Sequence, residues 1–135
     1  MKKRSKRIIV IAGVILAVGA IFLASYLPRF NAYKDAIANI TYQNKDAAAV
    51  PDGIYFGECD VDFISAKVSV TVKSGIITHI ALLEHQNGRG AAAEGIVQVI
   101  VEKQLINVDS VSGATNSSDV IKKAVDNALS SARKI

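Results

Sequence analysis

Between residues 107 and 121 the chain reads NVDSVSGATNSSDVI, and this stretch holds the residue types best arranged for chemistry. Ser112, Gly113, Ala114 and Thr115 follow one another after Asp109, just ahead of a helix start that Ser117 or Ser118 is expected to cap. The N–H groups that open a helix have no acceptor in a preceding turn, and together with the helix dipole they make a natural anion site. Gly113 and Ala114 leave room for a large group to lie against the main chain. Thr115, read as sitting just before the cap, supplies a hydroxyl where a phosphate would be welcome. Small residues ahead of a serine-capped helix also make an ordinary loop, and residue types alone leave both readings open.

Other chemistry-bearing residues are sparse. The chain has two histidines and one cysteine. A lone cysteine has no intramolecular disulfide partner, so Cys59 reads as a structural thiol. His79 has no acidic or cysteine neighbour at ligand spacing, and no metal site is expected. There is no GxGxxG fingerprint, no CxxC and no Ser-His-Asp set in a suitable context, which argues against an autonomous dehydrogenase or hydrolase.

The elements that must position the 107–121 stretch begin with an anchor. Residues 1–7, MKKRSKR, carry five of the 16 basic residues. Residues 8–27, IIVIAGVILAVGAIFLASYL, hold no charge, and a helix of that length rises about 30 Å, enough to cross the hydrocarbon of a bilayer. The apolar run exceeds the roughly 7–15 residues of a signal peptide, and Phe22 and Leu23 spoil the small-residue spacing of a cleavage site, so an uncleaved transmembrane helix is expected. No cysteine follows until Cys59, which speaks against a lipid-modified N-terminus. By the positive-inside rule the basic segment stays cytoplasmic and the rest lies on the far side. Beyond Leu27 there are 11 basic and 12 acidic residues, a net of −1. The net charge of +4 on the whole chain therefore gives no case for nucleic acid.

Residues 28–50 read as a connector. Pro28 is expected to end or kink the membrane helix, with Arg29, Phe30, Tyr33 and Lys34 at the headgroups. A stalk is the expected form, with a short helix carrying Tyr33, Ile37 and Ile40 as the alternative. The turn signal at Pro51-Asp52-Gly53 opens a domain over 51–135. IYFGE (54–58) reads as a strand, with Gly57 expected to mark a bulge. AKVSVTVKSGIITHIALLEH (66–85) reads as a hairpin. A three-residue loop, Lys73 to Gly75 with Gly75 left-handed, would pair Val72 with Ile76 and Val68 with Ile80 and leave His79 on the other face. HQNGRGAAA (85–93) is a glycine-rich loop, and residues 93–106 favour a helix. The last segment carries one apolar stripe, Ile121, Ala124, Val125, Ala128, Leu129 and Ala132, at helical spacing. Asp119 is placed in its first turn, and Arg133 and Lys134 at its end. The expected class is α+β: a small antiparallel sheet packed with two C-terminal helices, preceded by one transmembrane helix.

Asp109-x-x-Ser112-Gly113-Ala114-Thr115-x-Ser117-Ser118 resembles the flavinylation motif of FMN-binding domains. These occur in components of the sodium-pumping NADH:quinone reductase and of the Rnf complex, and in small membrane-anchored proteins. DGIYFGE (52–58), the hairpin and IVEKQLINVDSVSGAT (100–115) extend the resemblance over roughly 52–130, although Cys59 to Ser65 departs from the family's glycine-containing loop. In that family a flavin transferase joins the FMN phosphate to the motif's final threonine. The resemblance therefore implies a covalent FMN phosphoester on Thr115, with Gly113 and Ala114 allowing close approach and Ser112, Ser117 and Ser118 around it. Asp109, Ser112, Gly113, Ala114 and Thr115 would form the sequence the transferase reads. Glu84, His85 and Arg89 are candidate flavin contacts. The implied function is an extracytoplasmic, membrane-anchored electron carrier without its own substrate, either a free-standing electron-transfer flavoprotein or a redox-complex subunit, whose partners are membrane redox proteins serving as donor or acceptor. Reversible FMN binding, and a cofactor-free module that recognises a partner through its sheet or the 86–91 loop, are the alternatives.

Overall fold

The computed structural model describes residues 2–88 and 90–132. Helix α1 spans Lys2–Ala38, and Pro28 lies inside it rather than at its end. Ile8, Val10, Ile15, Leu16, Ile21 and Phe22 are all exposed, so the helix is apolar around its whole circumference. Its most apolar 18-residue window has a mean hydropathy of 2.8, which is compatible with a single-pass membrane anchor. Phe22, Tyr26 and Phe30 stack at four-residue spacing with ring centroids 5.9 Å apart.

The second unit is the α+β domain. Strands β1 (Gly53–Asp60), β2 (Ser65–Lys73) and β3 (Ile76–Gln86) form an antiparallel sheet in the order β1-β2-β3. Helices α2 (Ile96–Lys103) and α3 (Thr115–Ser131) follow, α2 entered through a 3-10 turn at Ala91–Gly95. Alternation in β2 buries Ala66, Val68, Val70 and Val72. Against them α3 buries the predicted stripe from Ile121 to Leu129 together with Val120, and Ala132, its C-cap, is buried as well. Arg133 and Lys134 lie outside the described residues. On the opposite face Ile54, Phe56 and Leu83 remain exposed.

Two expectations for the sheet are corrected. The hairpin turn has two residues, Ser74 (φ 53°) and Gly75 (φ 75°), and pairs Lys73 with Ile76 and Val72 with Ile77. Such a turn suits the strand twist, and Asp52 holds it by accepting the Ser74 N–H at 2.7 Å. It would set His79 opposite Val70, but the register shifts between Thr71 and Val72. Thr78 becomes the extra residue, so Val70 pairs with Ile80 and His79 with Thr71. A bulge thus keeps the apolar face apolar without a longer loop. Gly57 marks no bulge, since β1 and β2 pair without a break from Gly53 to Asp60. It is glycine because α3 crosses it closely: a Cβ there would overlap the Ala124 carbonyl oxygen and lie 2.5 Å from the Ala128 nitrogen.

The connector is not a bare stalk over its whole length, and the packed part of the chain starts before Pro51. Ala47 and Val50 are buried. The N–H groups of Gln43 and Asn44 donate to Asp126 Oδ2 and Oδ1, each at 2.9 Å. Asp126 is fully buried and also meets Lys123 Nζ at 3.0 Å. Two backbone donors and one ammonium satisfy a carboxylate that would otherwise be too costly to bury. Burial pushes the Cys59 thiol upward, with Lys123 pulling the other way. A thiol raised in this way is unreactive near neutral pH, in keeping with a structural role.

Candidate functional site

The 107–121 stretch folds as a braced turn. Ala114 N–H donates to the Val111 carbonyl at 2.9 Å, and Gly113 sits at φ 79°, a left-handed conformation that glycine adopts without strain. Thr115 is the first residue of α3 and Ala114 is its N-cap, with no side-chain cap bond. The capping role expected of Ser117 or Ser118 is therefore corrected: both are buried within the helix start. Ser118 Oγ instead accepts the Val111 N–H at 3.0 Å and donates to the Ala114 carbonyl at 2.8 Å, tying the turn to the helix. Asp119 is the fifth helical residue, beyond the first turn.

A second brace comes from a buried lysine that sequence reasoning missed. Lys122 is 4% exposed. Its Nζ reaches the Val108 carbonyl, Ser110 Oγ and Asp119 Oδ1, each at 3.1 Å, and lies 5.4 Å from the centre of the Tyr42 ring. Ser110 Oγ also donates to Asp119 Oδ1 at 2.9 Å. Tyr42 donates to the Asp119 carbonyl at 3.3 Å, and burial, reinforced by the Asp119 charge, raises its phenol above the usual range. The connector and the motif turn therefore share one polar cluster. At helical spacing Lys122 looks like a solvated flank of the stripe, and only the fold of 108–110 over it reveals the site.

Of the motif, Asp109, Ser112, Gly113 and Thr115 are exposed and Ala114 is buried. The Thr115 hydroxyl thus sits at the open entrance of α3, where the first N–H groups have no intrahelical acceptor. A phosphate there gains about 0.3–1 kcal/mol from the helix dipole.

The candidate flavin contacts divide. Glu84 is exposed and pairs with Lys67 at 3.3 Å, and Lys67 alternates with the buried residues of β2, so this pair belongs to the face away from α3. His85 stands opposite the buried Ala66, on the α3 face, with its side chain 2% exposed. Arg89 lies outside the described residues. Past His85 the Gly90 N–H donates to the Asn87 carbonyl at 2.8 Å, and Gly90 lies against α3: a Cβ there would overlap Ser117 Oγ and lie 2.6 Å from Ser117 Cβ. Gly90→Ala should therefore lift this turn from the helix entrance at a cost of about 1–3 kcal/mol. Hydrogen exchange should show it as lost protection of the Ala93 N–H, which donates to the Gly90 carbonyl at 2.9 Å. Adding Ser117→Gly should restore that protection.

An open sheet backed by a helix, with a glycine turn presenting a hydroxyl at the helix entrance, defines a small α+β domain suited to carrying a phosphate-bearing ligand. The family model for the FMN-binding domain matches residues 62–130, just over half of the chain, and the chain belongs to that family. The matched span runs from the β1–β2 turn through most of α3 and includes the motif. No curated protein and no solved structure matches the chain.

The chain's own residues fit FMN. The helix entrance is matched to the phosphate. His85 Nε2 is shielded from solvent with no hydrogen-bond partner among the described residues, and an unmet buried polar atom costs about 1–3 kcal/mol unless something else satisfies it. A cleft of about 430 Å³ between Asn44–Ala47 and Gln104–Asn107 reaches Leu129. Its Leu129 wall lies about 20 Å along α3 from Thr115.

Proposed function

We propose that the chain is a membrane-anchored flavoprotein that carries electrons through an FMN joined by its phosphate to the Thr115 hydroxyl. The observation that carries this reading is the exposed Thr115 at the first position of α3, directly after the left-handed Gly113 and the small Ala114. A modifying enzyme can reach the hydroxyl there. The hydroxyl oxygen would attack the flavin-side phosphorus of an activated flavin nucleotide, the bond to the donor's other phosphate would break, and the hydroxyl proton would be lost. The ester's remaining negative charge falls on the helix N-terminus. Asp109, Ser112 and Gly113 stand exposed beside it, available to a flavin transferase that reads the motif. Bound flavin accepts electrons singly or in pairs. The protein's part is to hold it and to tune it with hydrogen bonds and nearby charge. A covalent tether prevents loss to a dilute exterior.

The charge asymmetry about the anchor supports a cytoplasmic N-terminus and an extracytoplasmic domain. In that arrangement the partners are membrane redox proteins that give or take electrons.

Co-expression of the full chain with a flavin transferase should yield a band that fluoresces yellow-green after denaturing electrophoresis, with an intact mass raised by one FMN less water. Thr115→Ala should abolish both signals, and Ser117→Ala should keep them. Fluorescence that survives Thr115→Ala would place the bond elsewhere, and flavin lost on denaturation and filtration would mean reversible binding.

A further inference from the structure

The His85 ring is buried between two unlike neighbours. Its Nδ1 lies 3.1 Å from Glu94 Oε1 and 3.3 Å from Asn87 Nδ2. A carboxylate only accepts and an amide NH2 only donates. With the ring proton on Nδ1, His85 donates to Glu94 and presents a lone pair at Nε2. With the proton on Nε2, Nδ1 accepts from Asn87 and Nε2 presents an N–H. Both neutral tautomers are therefore satisfied at Nδ1, and each leaves Nε2 with an opposite hydrogen-bonding character. Among the described residues that Nε2 has no hydrogen-bond partner. His85 lies on the same sheet face as the buried Ala66, two residues before Asn87, and Gly90 further on lies against Ser117.

We infer that His85 is the protein's hydrogen-bond contact to the isoalloxazine ring, and that Glu94 and Asn87 let it serve as either acceptor or donor. This deepens the proposed function and rests on it. An oxidised isoalloxazine presents ring nitrogens and carbonyls that accept, and its reduced form adds N–H groups that donate. His85 meets the first with the proton on Nε2 and the second with the proton on Nδ1. His85 is thus a positioning residue for the flavin ring, and Glu94 and Asn87 act through it.

The test uses the full chain in detergent, with and without flavin attached by the transferase. The chain has only two histidines, so ¹⁵N-labelled imidazole signals can be assigned with a His79→Gln control. The His85 nitrogen shifts should change when flavin is attached, and should exchange between the two tautomer patterns when dithionite reduces it. Identical His85 shifts in all three states overturn the inference.

In the fraction of His85→Leu that mass shows to carry flavin, the flavin absorption band should shift and most of the gain in thermal midpoint that loading confers should be lost. His85→Gln, which keeps a polar amide near the Nε2 position, should restore the band and part of that gain. A purely structural histidine would lower the loaded and unloaded midpoints equally and leave the spectrum unmoved, which also overturns the inference. Failure of the unaltered chain to load at all refutes the parent reading and this one with it. Normal loading with an unchanged His85→Leu spectrum refutes this one alone.

Discussion

Replacing Gly57 with alanine should destabilise the domain by about 3 kcal/mol or more, the upper end of what overpacking costs. The added methyl has no space to enter. It would overlap the Ala124 carbonyl oxygen and sit 2.5 Å from the Ala128 nitrogen and 2.7 Å from the Ala128 Cβ. Two of those atoms belong to the α3 backbone, so no rotamer change relieves the clash. The helix must move off β1, and the interface it leaves is the core: Val120, Ile121, Ala124, Val125, Ala128 and Leu129 are all fully buried. For a domain of this size such a loss lowers the thermal midpoint by roughly 10–20 °C. Calorimetry of the full chain in detergent checks it. Ala128→Gly in the same chain should not rescue it, because the Ala124 carbonyl and the Ala128 nitrogen remain. A shift of only a few degrees would mean that α3 and β1 approach less closely than described.

The second large effect is expected at Asp126. Asp126→Ala should cost about 3–4 kcal/mol, within the range for removing one partner of a buried ion pair. The carboxylate is 0% exposed and accepts from Gln43 N, Asn44 N and Lys123 Nζ. Its loss leaves two backbone N–H groups without acceptors. Lys123, whose side chain is 20% exposed, can turn towards water, which keeps the cost below the top of the range. Asp126→Asn should not restore stability, because its NH2 would face one of the two N–H donors. The consequence should reach the motif. Freed from Asp126, the connector no longer holds Tyr42 beside Lys122 and Asp119, and residues 108–111 lose part of their bracing. Hydrogen exchange should report faster opening at both 42–45 and 108–111. Faster exchange confined to 42–45 would show that the connector and the motif turn are not coupled.

Much of this was legible in the residue pattern, because burial on a regular element repeats with that element's period. The valines of β2 and the stripe of α3 read correctly since each follows one period without interruption. The uncharged run of residues 8–27 was plain for the same reason, although helix α1 continues past Pro28 to Ala38. The register of the hairpin was not legible. A bulge at Thr78 adds one residue with no side-chain signature, and two turn lengths satisfied the same apolar face once such a shift was allowed. Gly57 showed the same limit: a glycine in a strand signals a bulge or a close approach, and only the path of α3 decides which.

At the site the division is similar. The small residues of Ser112–Thr115 and their place before a helix were determined by the sequence alone, as was the family the motif resembles. Which residue begins the helix, and what holds the turn, were decided by tertiary structure. Ser118 serves as a brace and Lys122 is buried because the chain at 108–111 folds back over α3, and sequence spacing does not encode that return. Likewise the adjacent Glu84 and His85 point to opposite faces of a pleated strand, so only one of them shares the α3 side with Thr115. Local periodicity depends on neighbours a few residues apart and can be read along the chain. Hydrogen bonds such as Gln43 to Asp126, 83 residues apart, exist only once the chain has closed on itself.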